Sequence, residues 1–119
     1  MEQLIRSESP LSTGPQVPIL KVSGELDLSV APQLHNQLQE LFVDGATSIY
    51  VDLLDASFLD STALGVMVNA LNQSQELGGR LHLIVTEPQI LRVLTITGLI
   101  DAFILHSSLD ELAGCEEES

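Results

Sequence analysis

The stretch of residues 50–71 constrains the fold most, because its hydrophobic pattern changes from that of a strand to that of a helix. Its first part is apolar and rich in residues that favour β-structure, which predicts a buried strand. Its last part places Leu64, Met67 and Leu71 at spacings of three, four and seven residues, which is typical of one face of a helix. The stretch therefore predicts a strand followed directly by a helix.

Three short polar residues, Asp60, Ser61 and Thr62, stand at the junction between this strand and this helix. Their side-chain oxygens suit the start of a helix, because they can accept hydrogen bonds from N–H groups that lack a partner within the helix. A purely structural role as a helix cap is the simpler interpretation. The other is that a hydroxyl is displayed at a helix N-terminus, where a phosphate group is tolerated. The spacing alone leaves both open.

The chain has 119 residues, of which 45% are hydrophobic, so one domain with a real core is expected. Only 3% of the residues are aromatic and tryptophan is absent, so the core is predicted to be aliphatic. Large aromatic platforms for stacking on bases or sugars are not expected.

Seventeen acidic residues face four basic ones, for a formal net charge of −13. This charge disfavours binding to nucleic acid or to anionic membranes and favours a basic protein partner. The single cysteine, Cys115, cannot form an intrachain disulfide and fits a reducing compartment. No apolar run is long enough to span a membrane, and the N-terminus does not resemble a signal peptide. A soluble cytoplasmic protein is therefore predicted.

Strand and helix patterns alternate along the chain, which predicts an α/β domain with a mixed, mostly parallel sheet and helices packed on it. A short edge strand is predicted within residues 1–6, followed by a loop over residues 7–18. Further strands are predicted at residues 19–23, 47–54, 80–85 and 102–105. Helices are predicted from about Ser29 to Asp44, with Pro32 in the first turn, from the Asp60 junction to Gly78, over residues 87–95, and from Ser107 or Ser108 through Leu109 and Leu112. In domain terms we expect an N-terminal strand and loop over residues 1–18, the domain over 19–113 and an acidic tail over 114–119.

Functional residues of such sheets usually lie beyond the carboxyl ends of the strands. The predicted loops there are residues 24–29, 55–62 and 86–88. Two phosphate-binding fingerprints and the nucleophile elbow of hydrolases are absent from the sequence. His35, His82 and His106 are each expected to be surface or packing residues, since none has a partner that suggests a catalytic base.

We therefore predict no enzyme, no cofactor and no metal ion. Asp27, Asp55 and Asp60 could cluster at the loop end of the sheet and hold Mg²⁺ loosely. Helix caps and solvated carboxylates are the favoured interpretation of these three residues.

Residues 51–66, which read VDLLDASFLDSTALGV, resemble the central motif of the STAS family, the sulphate-transporter and anti-sigma-factor-antagonist domain. Residues 24–27, Gly-Glu-Leu-Asp, resemble the second hallmark of this family. Residues 78–83 and 97–99 are similar to its later elements, so that the resemblance covers roughly residues 19–112.

The resemblance implies a function in bacterial partner switching. In stand-alone members of the family, the serine after the motif aspartate is phosphorylated by a serine kinase that is also the anti-sigma factor, and a phosphatase removes the phosphate by hydrolysis. That serine corresponds to Ser61, and Thr62 is a secondary candidate. Ala63 stands where the usual motif has glycine. The unphosphorylated protein is expected to bind the kinase, which frees the sigma factor.

The partner-binding surface is expected around this hydroxyl, on the two motif loops. It is predicted to comprise Glu25, Leu26, Asp27, Leu28, Phe58, Leu59, Asp60, Ser61 and Thr62. A phosphate on Ser61 would add about −1.5 to −2 charges at this surface and oppose binding.

Two other functions remain open. One is a non-phosphorylated STAS subunit that docks on an ABC-type or other membrane transport complex. The other is a receiver-like or nucleotide-binding module with Asp52, Asp55 or Asp60 as the phosphate acceptor. The receiver interpretation is disfavoured because the only lysine, Lys21, precedes these residues and does not lie on a late strand.

Overall fold

The computed structural model describes residues 5–8 and 17–108, and the elements in these ranges alternate between strands and helices. The strands are β1 (Ile5–Glu8), β2 (Ile19–Val22), β3 (Gly24–Leu26), β4 (Ile49–Asp52), β5 (Ala56–Leu59), β6 (Leu81–Ile84) and β7 (Ile104–His106). The helices are α1 (Ala31–Val43), α2 (Ser61–Glu76) and α3 (Pro88–Ile96). None of these helices is both long and apolar enough to cross a membrane.

Five strands form the main sheet in the order β1-β2-β4-β6-β7. The edge strand β1 runs antiparallel to β2, and the other neighbouring pairs are parallel. A second, two-stranded parallel sheet consists of β3 and β5. The predicted α/β domain with a mixed, mostly parallel sheet is thus confirmed.

The main core lies between the sheet and helices α1 and α2. Leu20, Val51 and Leu83 are paired across three neighbouring strands, and all are at most 1% exposed. Leu38 of α1 and Met67 of α2 belong to the same buried cluster. This arrangement carries both helices along one face of the sheet and brings their N-termini to the carboxyl ends of the strands.

The helix boundaries follow the signals in the sequence closely. Helix α1 begins at Ala31 with Pro32 in its first turn and ends before Asp44. Helix α2 begins directly after Asp60, and the chain leaves it through Gly78, whose φ of 83° favours glycine. Gly98, with a φ of 78°, follows α3 in the same way.

Several strands differ from those predicted. Two segments predicted as loops, residues 24–29 and 55–62, contain strands β3 and β5. These strands are very short and pair only with each other, so neither shows a periodic pattern that sequence reasoning can detect. Strand β1 extends through Glu8, into the segment predicted as a loop, and β4 is shorter than predicted.

The last strand is shifted relative to its prediction at residues 102–105. Strand β7 begins only at Ile104, because Ala102 lies in a turn in which its N–H donates to the carbonyl of Leu99. His106 therefore lies within the strand and not beyond it. The predicted final helix with Leu109 and Leu112 falls outside the described residues.

Three ring side chains form a second cluster on the sheet face opposite α1 and α2. The rings of Tyr50 and His82 stack with centroids 4.2 Å apart, and Nδ1 of His82 lies 3.0 Å from Nε2 of His106. His106 is only 5% exposed. Both histidines thus serve in packing, and His35 lies half-buried on α1.

Burial lowers the pKa of His82 to about 4, with smaller contributions from His106 and Arg80. An unfolded histidine has a pKa of about 6.5, so the unfolded chain binds more protons than the folded chain between these two values. We expect the contribution of His82 to the free energy of unfolding to be fully present above about pH 6.5 and to be lost towards pH 4, by on the order of 1–2 kcal/mol because His82 is only half-buried. Urea denaturation at several pH values measures this slope.

The control is a pair of variants. His82→Gln should flatten the pH dependence in this range, and His35→Gln should leave it unchanged. An unaltered slope in His82→Gln would contradict the assignment.

Candidate functional site

Strands β3 and β5 end side by side at the carboxyl edge of their small sheet. Leu26 and Leu59 are paired in register, so the residues that follow them, Asp27 and Asp60, leave the sheet at the same point. The N–H of Asp60 donates to the carbonyl oxygen of Leu26 at 3.0 Å and extends this pairing by one residue. Two acidic residues from separate parts of the sequence are thereby brought together.

Asp60 caps helix α2. Its backbone is extended, with φ −100° and ψ 179°, and its carboxylate accepts a hydrogen bond from the N–H of Ala63 at 3.0 Å. Its carbonyl oxygen accepts the N–H of Leu64 at 2.9 Å, which closes the first helical turn. The capping role suggested by the sequence is therefore present.

Ser61 and Thr62 are the first two residues of α2, and both are exposed. The partial positive charge of the helix dipole and the N–H groups of the first turn lie at this end. A hydroxyl displayed here can be approached by another protein, and a negatively charged group on it would be stabilised by the helix. The structural and the functional interpretation of the junction are thus compatible, because Asp60 provides the cap and Ser61 remains accessible.

Asp27 organises the turn that joins β3 to α1. Its carboxylate accepts hydrogen bonds from the hydroxyl of Ser29 at 2.6 Å and from the N–H of Ser29 at 3.0 Å. These bonds, the hydroxyl first, lower the pKa of Asp27 below its usual value. Its carbonyl oxygen accepts the N–H groups of Val30 and Ala31. A fixed negative charge therefore stands at the strand end next to Asp60.

The predicted apolar contacts divide into two kinds. Leu28 is 67% exposed and Phe58 is 37% exposed, and Glu25 is exposed as well. Leu26 and Leu59 are 0% and 2% exposed and belong to the core. Because they are buried, these two side chains support the surface from within and do not form part of it. The residues before them, Glu25 and Phe58, point outward, since successive side chains in a strand point to opposite sides.

The residues that precede β5 are also held in place, by an ion pair and by backbone hydrogen bonds. Nζ of Lys21 lies 3.3 Å from the carboxylate of Asp55 and 3.7 Å from that of Asp52, whose side chain is only 2% exposed. The N–H of Gly24 donates to the carbonyl oxygen of Asp55 at 3.0 Å. The other oxygen of Asp52 accepts the N–H of Leu54.

The carboxylates of Asp27, Asp55 and Asp60 are thus each engaged with groups of the protein itself. Within residues 5–8 and 17–108, no three histidine, cysteine or acidic side chains are grouped so that they could hold a metal ion. The predicted clustering of Asp27, Asp55 and Asp60 is therefore not present in this part of the chain. The physical reason is that each carboxylate serves a different local bond: a turn, an ion pair or a helix cap.

One residue of this region escaped sequence reasoning. The side-chain oxygen of Gln89, in the first turn of α3, accepts a hydrogen bond from the N–H of Leu59 at 3.1 Å. The contact joins residues thirty positions apart in the chain. A half-buried glutamine behind a proline carries no signal for such a bond, which depends on how α3 packs beside β5.

Ala63, which stands in place of the usual glycine of the motif, is 0% exposed. Its methyl group faces the core, so it adds nothing to the surface around Ser61. Gly65, one turn after Ser61, is exposed, and a Cβ built on it meets no atom within 4 Å. Packing against the described residues therefore does not require glycine at this position.

Comparisons with known proteins agree with this architecture. The sequence matches the family model of the STAS domain over residues 10–112. Over 82 residues, which are 69% of this chain and 76% of the relative, the sequence is 38% identical to an anti-sigma-B factor antagonist of Staphylococcus aureus.

Solved structures show the same fold. An anti-sigma factor antagonist from Mycobacterium paratuberculosis superimposes with a TM-score of 0.78 at 25% identity, over 93% of this chain and 92% of that chain. The phosphorylated form of the Bacillus cell fate determinant SpoIIAA superimposes with a TM-score of 0.69, over 92% of this chain and 97% of that chain. At 20% identity the latter likeness concerns the fold alone.

The cap at Asp60 gives a first test of the site. Replacement by alanine removes the acceptor for the N–H of Ala63, so Asp60→Ala should lower the free energy of unfolding by about 1 kcal/mol. Asp60→Asn keeps an oxygen in the same place and should remain within a few tenths of a kcal/mol of the original. Urea denaturation measures both. Equal stability of the alanine variant and the original would show that the cap is not needed.

Ala63 and Gly65 form a matched pair for a second test. Ala63→Gly removes a buried methyl group and lowers helix propensity, so it should cost about 1–2 kcal/mol of stability. Gly65→Ala places a methyl group in open space within a helix and should stabilise the chain by about 0.5–1 kcal/mol. Thermal and urea denaturation measure the change in stability of each variant. Two changes in the same direction, both stabilising or both destabilising, would contradict this expectation.

Proposed function

Because the chain belongs to the STAS domain family, we propose that it is an anti-sigma factor antagonist that acts in bacterial partner switching. The observation that carries the proposal is the exposed hydroxyl of Ser61 at the N-terminus of α2, beside the strand ends that bear Asp27 and Asp60. The relatives named as anti-sigma factor antagonists support this function over that of a transport subunit. The role is regulatory, and the partner is an anti-sigma factor.

The switch in this function is a reversible phosphorylation of Ser61. The anti-sigma factor is also a serine kinase, which binds the unphosphorylated chain and transfers a phosphate from ATP to the hydroxyl of Ser61. A serine phosphatase removes the phosphate again. This exchange takes place in the cytoplasm, where sigma factors act. Thr62, the neighbouring exposed hydroxyl, is a secondary acceptor.

The surface around Ser61 offers a partner both apolar area and negative charge. Leu28 and Phe58 supply exposed apolar side chains. Glu25, Asp27 and Asp60 supply carboxylates at the same end of the small sheet. Since the whole chain also carries a net charge of −13, a partner with a basic surface would associate rapidly, and the association rate would fall as salt is added.

A phosphate on Ser61 would act mainly on the partner and little on the fold. The N–H groups and dipole of α2 can stabilise the added charge of about −1.5 to −2. The same charge would stand beside the ionised Asp27 and the cap Asp60, and a partner would have to desolvate all three. A loss of about 3–5 kcal/mol of binding energy would weaken a complex by more than about 100-fold.

The experiment mixes the purified chain with ATP, Mg²⁺ and each candidate serine kinase from its own cell, and maps phosphate by mass spectrometry. We expect phosphate on Ser61, and none on Ser61→Ala. Ser61→Ala should still bind the kinase, because only the hydroxyl is lost, whereas Ser61→Asp should bind at least roughly 10-fold more weakly, because a fixed charge takes its place.

Thr62→Ala is the matched control, since it removes the adjacent exposed hydroxyl and should leave phosphorylation of Ser61 intact. If no kinase phosphorylates Ser61, the switch is overturned. Co-purification with a transport ATPase would then favour a constitutive docking subunit.

A further inference from the structure

The peptide N–H of Leu59 points away from the small sheet. In a strand, successive N–H groups point to opposite edges. The N–H of Asp60 donates to Leu26 on β3, so the N–H of Leu59 faces the opposite edge of β5. There it meets the side-chain oxygen of Gln89 at 3.1 Å. A side-chain oxygen from α3 therefore accepts the hydrogen bond that a neighbouring strand would otherwise accept at this edge of β5.

The backbone that carries Gln89 is anchored by its neighbours on α3. It lies in the first turn of α3, directly after Pro88, whose ring restricts the backbone. The next residue, Ile90, and Leu94 one turn later are both 0% exposed and anchor α3 in the core. The amide is thus presented from a packed helix and not from a free loop.

These contacts hold the backbone just before Ser61 from two sides. Strand β3 binds the N–H of Asp60, and α3 binds the N–H of Leu59. Asp60 in turn caps α2, of which Ser61 is the first residue. Loss of the α3 contact would leave the N–H of Leu59 without its acceptor and would allow the strand end to move relative to β3.

We propose that Gln89 is a positioning residue for Ser61, which sets the place of the serine hydroxyl by holding the backbone of Leu59 against α3. The inference rests on the proposed function, because it concerns transfer of phosphate to that hydroxyl. Phosphoryl transfer depends strongly on the position of the attacking oxygen, and a displacement of about 1 Å can cost roughly 100-fold in rate. Gln89 does not itself contact the reacting atoms.

The test compares Gln89→Leu with Gln89→Glu, using the kinase that phosphorylates Ser61 in the experiment above. Leucine is similar in size but cannot accept the hydrogen bond, so kcat should fall by roughly 10-fold or more, with a smaller change in KM. Glutamate keeps an oxygen acceptor, so kcat should return to within roughly threefold of the original. Amide hydrogen exchange of Leu59, followed by NMR, should be faster in the leucine variant and protected in the glutamate variant.

Gln73→Leu is the matched control. Gln73 of α2 and Gln39 of α1 are half-buried and exchange two amide hydrogen bonds, at 2.7 and 3.2 Å. Gln73 lies twelve residues beyond Ser61, roughly 18 Å along the same helix. Its replacement removes the hydrogen bonds to Gln39 and should lower the melting temperature. The kcat for phosphorylation of Ser61 should remain unchanged. A similar fall in kcat for Gln73→Leu would mean that general destabilisation, and not positioning, explains the effect.

The outcomes separate this inference from the proposed function. If the original chain is phosphorylated and Gln89→Leu is phosphorylated at the same rate, the role of Gln89 is overturned and the proposed function stands. The role is also overturned if Gln89→Glu is as slow as Gln89→Leu although the N–H of Leu59 remains protected. If no kinase phosphorylates the original chain, both fail together.

Discussion

The parallel pairing of two short strands, β3 and β5, is the constraint on which the site depends. Because Leu26 and Leu59 are in register, the two segments that the sequence marks by Gly-Glu-Leu-Asp and by Leu-Asp-Ser-Thr end at the same point. Neither strand could be stable alone, since a two-stranded sheet is marginal without a surface to pack on. Burial of Leu26 and Leu59 in the main core provides that surface and fixes the position of the strand ends.

The negative charges at this edge are arranged so that each has a local role. Asp52 and Asp55 share Lys21, Asp27 closes the turn before α1, and Asp60 caps α2. The fold therefore accommodates these acidic residues through separate local contacts with groups of the protein itself. The same arrangement leaves the hydroxyl of Ser61 exposed at the N-terminus of α2, where the helix dipole would stabilise an added negative charge.

Ala63 shows how tertiary structure changes the meaning of a motif. In the sequence, alanine in place of glycine next to Ser61 and Thr62 alters the motif that a kinase would recognise. In the structure its methyl group is fully buried, so the surface around Ser61 is the same as it would be with glycine at this position. Gly65, by contrast, has open space beside it in the part of the chain that the structure describes, and packing there does not require it, although glycine is unfavourable within a helix.

The sequence by itself determined the fold class, the three helices of the described region and the junction at which Ser61 stands. These features follow from local physics: helical periodicity, the capping preference of Asp60, and glycines such as Gly78 that end helices. Only the tertiary structure decided that the predicted loops contain β3 and β5, that His82 and His106 stack on Tyr50, and that Gln89 holds Leu59. Each of these depends on contacts between residues far apart in the chain. Strands of three or four residues and single side-chain hydrogen bonds produce no periodic pattern in the sequence. Which residues they pair with depends on how the core packs.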